Sequence, residues 1–297
     1  MHLKLKAHSA LLTANILYGI NYVVAKGIMP DYMTPRAIIF IRISGALLVF
    51  WLIHHFLIKE KIQKKDLGRL ALCGLFGVAI NQILFFEGLN LTTPINASII
   101  MTSGPILTLV FSYLILKELI NIPKIIGIVL GSIGAGILIL MGGDFSFNSD
   151  TIIGNALILT NASSYSLFLV IVKPLRDRYS TFTIMKWIFI FGFMWSIPFC
   201  AGSFINTDFQ AIPLNIWASI IYVMIGPTIL AYLLNNYALG YVSPVVNSSY
   251  IYTQPAIAAI VAIIYLQERL TLLEVGCAAL IFAGVYLVSI KKTKLQS

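Results

Sequence analysis

Apolar stretches of about twenty residues recur along the entire chain, and they constrain its fold more than any other feature. They lie near 8–26, 35–57, 68–90, 94–116, 124–141, 152–172, 183–203, 214–237, 243–266 and 272–290, each broken by Pro, Gly, Asn or charge. About 20 helical residues cross the roughly 30 Å hydrocarbon core of a bilayer. Only 10% of the residues are charged, against roughly a quarter in a soluble domain, so a water-facing surface could not be covered and lipid must surround most of the chain. The runs are long and continuous, whereas barrel strands alternate over about ten residues. The expected fold is therefore an all-α integral membrane protein with ten transmembrane helices. The first run, Ala10 to Ala25, is too long for a signal-peptide core and has no small-residue cleavage site after it, so it reads as the first span.

The net charge of +9 does not point to nucleic acid, which needs basic residues clustered on one solvated face. Here the basic residues sit in short runs between spans. Lys4, Lys6, Lys59, Lys61, Lys64, Lys65, Arg69, Lys117, Lys124, Lys173, Arg176, Arg178, Lys186, Lys291, Lys292 and Lys294 fall on one side, and Lys26, Arg36 and Arg269 on the other with Asp31, Asp144, Asp150 and Asp208. By the positive-inside rule both termini are cytoplasmic, and an even span count follows. The expected location is a bacterial inner membrane, crossed many times.

The two halves resemble each other. A shift of 147 pairs Thr13 with Thr160, Tyr18 with Tyr165, and Lys26 with Lys173; a shift of 150 pairs Pro94 with Pro244, Ser98 with Ser248, Pro105 with Pro255, Leu116 with Leu266, Glu118 with Glu268 and Gly134 with Gly284. Residues 1–145 and 146–297 are thus expected to be two copies of one unit. Five spans per copy is an odd number, so the second copy enters the membrane upside down. Inverted repeats of this kind are typical of secondary transporters, whose two halves exchange conformations around a shared midplane site.

The stretch Leu17-Tyr18-Gly19-Ile20-Asn21 ending at Lys26, with Pro35 and Arg42 in the second span, resembles the opening of EamA-type transporters in the drug/metabolite transporter superfamily. The resemblance continues through Gly88-Leu89, Pro94, Ala97, Ser98, Pro105 and Lys117-Glu118-Leu119. A second copy follows as Tyr237-Ala238-Leu239, Pro244, Ser248, Pro255 and Gln267-Glu268-Arg269-Leu270, then Gly276 and Gly284. The resemblance covers both copies and implies a ten-helix, inverted five-plus-five fold around a central cavity, in an exporter or exchanger of amino acids or other metabolites. Tyr18 stands where many members carry Trp, which leaves the substrate open, since one fold hosts many specificities.

Polar side chains inside a span face the bundle interior. In the first span Asn15, Tyr18 and Tyr22 share a helical face, with Asn21 nearby; Asn81 and Gln82 follow in the third, Ser98, Thr102 and Ser103 in the fourth, and Asn161 and Tyr165 in the sixth. The ninth offers Asn247, Ser248, Tyr250, Tyr252 and Gln254. The candidate substrate-binding set is Asn15, Tyr18, Tyr22, Gln82, Thr102, Tyr165, Tyr250 and Gln254. Interhelical hydrogen bonding is the alternative role for such residues. Arg42 lies about 10 Å inside the second span at the 1.5 Å helical rise, where a charge costs about 2.5 kcal/mol or more. Two roles are open to it: attracting an anionic group such as a substrate carboxylate, or a structural and gating role, paired with Glu87 or snorkelling outward. Pro105 and Pro255 each remove a backbone donor near mid-helix, and their pairing across the copies suggests hinges. Gly127, Gly131, Gly134, Gly276 and Gly284 give small-residue faces for close packing, inside the fold or in a homodimer. Glu118 and Glu268, beside Lys117 and Arg269, read as interfacial anchors, as do His54 and His55.

Several chemistries find no support. There is no Walker motif for ATP, no HExxH, and no catalytic constellation, so no enzyme activity and no cofactor or metal is expected. Cys73, Cys200 and Cys277 lie far apart in apolar surroundings, without metal-ligand spacing. No carboxylate sits near the midplane to carry protons. The expected partners are a small-molecule solute and membrane lipid. The rival class is a non-transporting membrane sensor or assembly partner, against which stand the absence of a signalling domain and loops of only about ten residues.

Overall fold

The computed structural model describes residues 2–58, 60–141, 149–254, 257 and 272–289. Among these residues all regular structure is helical. Six helices are long and apolar enough to cross a membrane: α1 (His2–Ile28, apolar from Leu5), α2 (Pro35–Ile58), α3 (Lys64–Leu91), α7 (Thr151–Arg176, starting at Ser149), α8 (Thr181–Ile205) and α9 (Leu214–Leu239). Shorter apolar helices fill the intervals. They are α4 (Pro94–Met101), α5 (Gly104–Leu116), α6 (Ile122–Met141), α10 (Pro244–Ser249) and α11 (Leu272–Ser289). The expected fourth span, 94–116, is thus two helices, and much of the expected ninth, 243–266, lies outside the described residues, as do Pro255, Glu268 and Arg269.

Local chemistry explains the helix starts. Thr34, Thr93, Ser180 and Ser243 each accept a hydrogen bond from the backbone N–H three residues on, at Ala37, Asn96, Thr183 and Val246. Such caps satisfy donors that the first turn leaves unpaired. In three of the four a proline follows at the first helical position, where its missing N–H costs nothing.

Two features recur at a fixed offset. α3 contains a π-helical turn at Leu75–Ala79 and α9 another at Ile225–Leu230, 150 residues later. Lys26, at the end of α1, donates to the carbonyls of Leu89, Asn90 and Thr92 at 2.9, 2.8 and 3.2 Å, capping the end of α3. Lys173, in α7, donates to the carbonyl of Leu239 at 2.6 Å, capping the end of α9. A cation there meets carbonyls without intrahelical partners and the negative end of the helix dipole.

The glycines act within the fold. A Cβ on Gly127 would lie 2.6 Å from the Gly284 carbonyl oxygen, and one on Gly284 would lie 2.6 Å from that of Gly127, so α6 and α11 touch backbone to backbone. Gly131 faces the Tyr252 ring and Gly134 the Cys277 carbonyl, while Gly276 has open space beside it. Large side chains such as Val23, Leu48, Phe56, Phe199 and Phe282 are exposed, as suits a lipid-facing surface. Cys73, Cys200 and Cys277 are free and buried.

Candidate functional site

The helices surround a narrow cavity of about 70 Å³, smaller than the roughly 300–1,000 Å³ common for small-molecule sites. α1 contributes Asn15, Tyr18, Asn21 and Tyr22; α2 contributes Arg42; α3 contributes Asn81, Gln82, Phe85 and Phe86; α4 contributes Met101. From the second half come Asn161 and Tyr165 of α7, Tyr232 and Asn235 of α9, Asn247 and Ser248 of α10, then Ile251 and Gln254.

The walls are cross-linked by hydrogen bonds between the halves. Tyr22 donates to Gln254 Oε1 at 3.1 Å, Gln254 Nε2 donates to Asn15 Oδ1 at 2.8 Å, and Asn15 Nδ2 donates to the Leu11 carbonyl at 2.8 Å. On the opposite wall the Tyr232 hydroxyl reaches the Gly77 carbonyl at 2.7 Å and Asn81 Oδ1 at 3.0 Å, and Asn161 Nδ2 donates to the Asn81 carbonyl at 2.6 Å. The π-helical turn explains the first of these contacts. Its widened winding takes carbonyls out of the regular ladder, and Gly77 lies inside it.

Not every polar atom is satisfied. Asn21 Oδ1, Arg42 Nη1 and Asn161 Oδ1 are buried and have no hydrogen-bond partner within the protein, while the Tyr18 hydroxyl lies beside Tyr165 and the Gln82 amide beside Tyr232. Buried polar groups are ordinarily paired; unpaired donors and acceptors around one cavity suit a polar guest.

Of the residues singled out from sequence, Asn15, Tyr18, Tyr22, Gln82, Tyr165, Gln254 and Arg42 meet in this cavity. Thr102 and Tyr250 do not line it. Tyr250 begins a tight three-residue turn, Tyr250–Tyr252. With three residues per turn, positions 250 and 253 share one face while 251 and 254 share another. Ile251 and Gln254 accordingly face the cavity, whereas Tyr250 and Thr253 line a separate crevice with His8, Leu12 and Phe282. The Tyr250 hydroxyl lies 2.7 Å from His8 Nδ1. Thr102 falls in the break between α4 and α5. Pro105 sits in the first turn of α5, just beyond that break, rather than in the middle of a continuous helix.

Of the alternatives for Arg42, the pairing with Glu87 is not formed: Glu87 accepts from Arg36 Nε at 2.6 Å. Arg42 is 4% exposed, so it does not snorkel. Its Nε donates to Thr228 Oγ1 at 2.6 Å, and its guanidinium carbon lies 4.4 Å from the centre of the Phe86 ring.

Sequence reasoning passed over Asn235, Phe85 and Phe86. The 150-residue offset could have found two of them, because Phe85 pairs with Asn235 and each lies one turn beyond Gln82 and Tyr232, themselves a pair. Met101 and Ile251 are a further such pair, and Tyr18 and Tyr165 match at 147. Members of all four pairs line the same cavity.

Comparison with known proteins identifies the family and the fold. The sequence profile of the EamA-like transporter family matches residues 5–140 and again 152–290. The uncharacterized transporter YetK of Bacillus subtilis is 25% identical over 78% of this chain and 70% of its own length. An uncharacterized transporter of Archaeoglobus fulgidus is 25% identical over 88% and 91%. A Streptantibioticus cattleyicolor protein named "Probable terminal-alkyne amino-acid exporter" is 24% identical over 76% and 74%. A crystal structure of another protein, 17% identical, shares the fold with a TM-score of 0.73 over 100% of this chain and 99% of that one. The chain, an apolar helical bundle around a buried polar cavity, belongs to the EamA-like transporter family.

Proposed function

We propose that this protein is a secondary transporter that exports or exchanges a small metabolite such as an amino acid across the bacterial inner membrane by alternating access. In this reading residues 1–145 and 146–297 are inverted copies of a five-helix unit, ten spans in all, with both termini cytoplasmic. The observation that carries it is the cavity wall. Residues related by a constant sequence offset, Gln82 with Tyr232, Phe85 with Asn235 and Met101 with Ile251, contribute to one chamber from both halves. Two related halves around one site are what alternating access needs, because exchanging their conformations moves the opening from one face to the other.

The amino-acid assignment draws on the name of the Streptantibioticus relative and on a cavity that offers donors, acceptors and aromatic walls together. Purified protein in liposomes loaded with a labelled metabolite mixture tests the proposal. Flux of at least one solute above protein-free vesicles is the expected result; binding without flux would transfer the protein to the sensor class. A C-terminal tag found outside intact cells would overturn the orientation.

A further inference from the structure

The environment of Arg42 narrows the solute. Arg42 is the one charged side chain among the described residues lining the cavity, and its contacts are all neutral: the Thr228 hydroxyl, the Phe86 ring face and the cavity itself. Its Nη1 has no partner. A buried cation of this kind ordinarily has an anion beside it. The partner considered from the sequence, Glu87, is held by Arg36. A cation–π contact with one ring offsets only part of the cost of taking a charge out of water.

The second half has no equivalent cation. Counting eight residues from the caps Thr34 and Ser180 places Arg42 opposite Ile188, which is fully buried in the apolar core. The charge is therefore present in one copy only.

We infer that Arg42 anchors a carboxylate of the transported solute, so that the protein carries carboxylic acids and rejects solutes without a carboxylate, the cationic amino-acid amides among them. This rests on the transport reading above. A planar guanidinium matches a carboxylate in shape and charge, and a carboxylate on Nη1 would supply the anion that the protein withholds. The rest of the solute then meets Tyr18 Oη, Asn21 Oδ1, the Gln82 amide and Asn161 Oδ1, which are neutral and both donate and accept. An ammonium group is tolerated by those oxygens but meets no carboxylate among the described lining residues. A 2-hydroxy acid is therefore carried as well as the matching amino acid.

The test uses full-length protein in liposomes with three matched labelled probes, leucine, 2-hydroxy-4-methylpentanoate and leucinamide, alongside the general metabolite mixture. Both acids are expected to move, with leucinamide at least about 10-fold slower, the lower end of a hydrogen bond to a charged group. Arg42→Gln should weaken apparent affinity for the acids by on the order of 10- to 100-fold, and Arg42→Lys, which keeps the charge but not the fork, by less. Leucinamide moving as fast as leucine would overturn the carboxylate anchor, and so would Arg42→Gln leaving acid flux unchanged. Solutes of the mixture crossing only as neutral or cationic species would do the same while leaving the transport reading intact. No flux of any probe or mixture component would instead remove that reading. The acid-against-amide comparison is made on wild-type protein, so it decides the matter even if the Arg42 variants do not insert.

Discussion

The contact between α6 and α11 permits a quantitative expectation from a single methyl group. In Gly127→Ala the new Cβ would lie 2.6 Å from the Gly284 carbonyl oxygen, 2.8 Å from Val288 Cγ2 and 2.9 Å from Val288 N. Two of those atoms are backbone and cannot swing aside, so the helices must separate by roughly half an ångström or more. A gap of 0.5–1 Å forfeits about a quarter to a half of each contact's dispersion energy, and overpacking a tight interface costs about 1–3 kcal/mol. Alanine returns up to about 1 kcal/mol through helix propensity. With that gain taken in full the net expectation is a loss of up to about 2 kcal/mol, or a few degrees in Tm at roughly 2–4 °C per kcal/mol for chains somewhat smaller than this one. Gly276→Ala in the same helix pair meets nothing within 4 Å, and it should leave Tm unchanged or raise it slightly. Thermal unfolding of both purified variants in detergent separates the effects. Equal melting temperatures for the two would show that α6 and α11 do not approach through these glycines.

Other perturbations read different parts of the molecule. Tyr232→Phe removes the donor to the Gly77 carbonyl and Asn81 Oδ1; leaving buried acceptors unpaired should cost about 1–3 kcal/mol, visible as a lower Tm, and an unchanged Tm would mean the hydroxyl does not brace the π-helical turn. Gln254→Ala breaks the link from Asn15 to Tyr22 and should reduce liposome flux several-fold with insertion preserved, whereas Tyr250→Ala, which faces the other crevice, should affect flux less; the reverse order would contradict the assignment of faces. Asp66→Asn weakens contacts to Arg178 at 2.8 Å and to the Tyr179 hydroxyl at 2.7 Å, which tie the start of α3 to the connection between α7 and α8. Limited proteolysis of that connection should accelerate, and equal cleavage rates would show the tie to be idle.

What the sequence disclosed follows from how the information is stored. Helical spans are written as uninterrupted apolar runs, so α1, α2, α3, α7, α8 and α9 could be placed to within a few residues. A repeat is written as a constant offset, so Lys26 and Lys173, or Gln82 and Tyr232, could be paired without coordinates. Side-chain direction is not stored so simply. It depends on residues per turn, and a change from 3.6 to three at Tyr250–Tyr252 moved Tyr250 out of the cavity while keeping Gln254 in it. Pairing among charges is equally hidden. Arg36 and Arg42 are both within reach of Glu87 along the sequence pattern, and only packing decides that the exposed arginine takes it.

That choice links the scaffold to the site. The devices that recur at a fixed offset, the π-helical turns, the lysine caps and the Thr/Ser-Pro helix starts, all serve to hold helices in place. Arg42 breaks the correspondence, as does the exchange of Phe85 for Asn235 on facing walls. A chamber lined identically by both halves would offer any guest the same groups twice, and an asymmetric solute would have no preferred orientation. Under the proposed transport mechanism, the one cation among the described lining residues would give the chamber a polarity, and a solute with one charged end would bind in one direction. Removing the charge by Arg42→Ile should therefore lower the flux of carboxylic acids at least about 10-fold even where the protein inserts and melts normally, because the neutral groups that receive the remainder of the solute, Gln82 and Asn161 among them, stay where they were. Retained acid flux in that variant would show that the charge does not orient the solute.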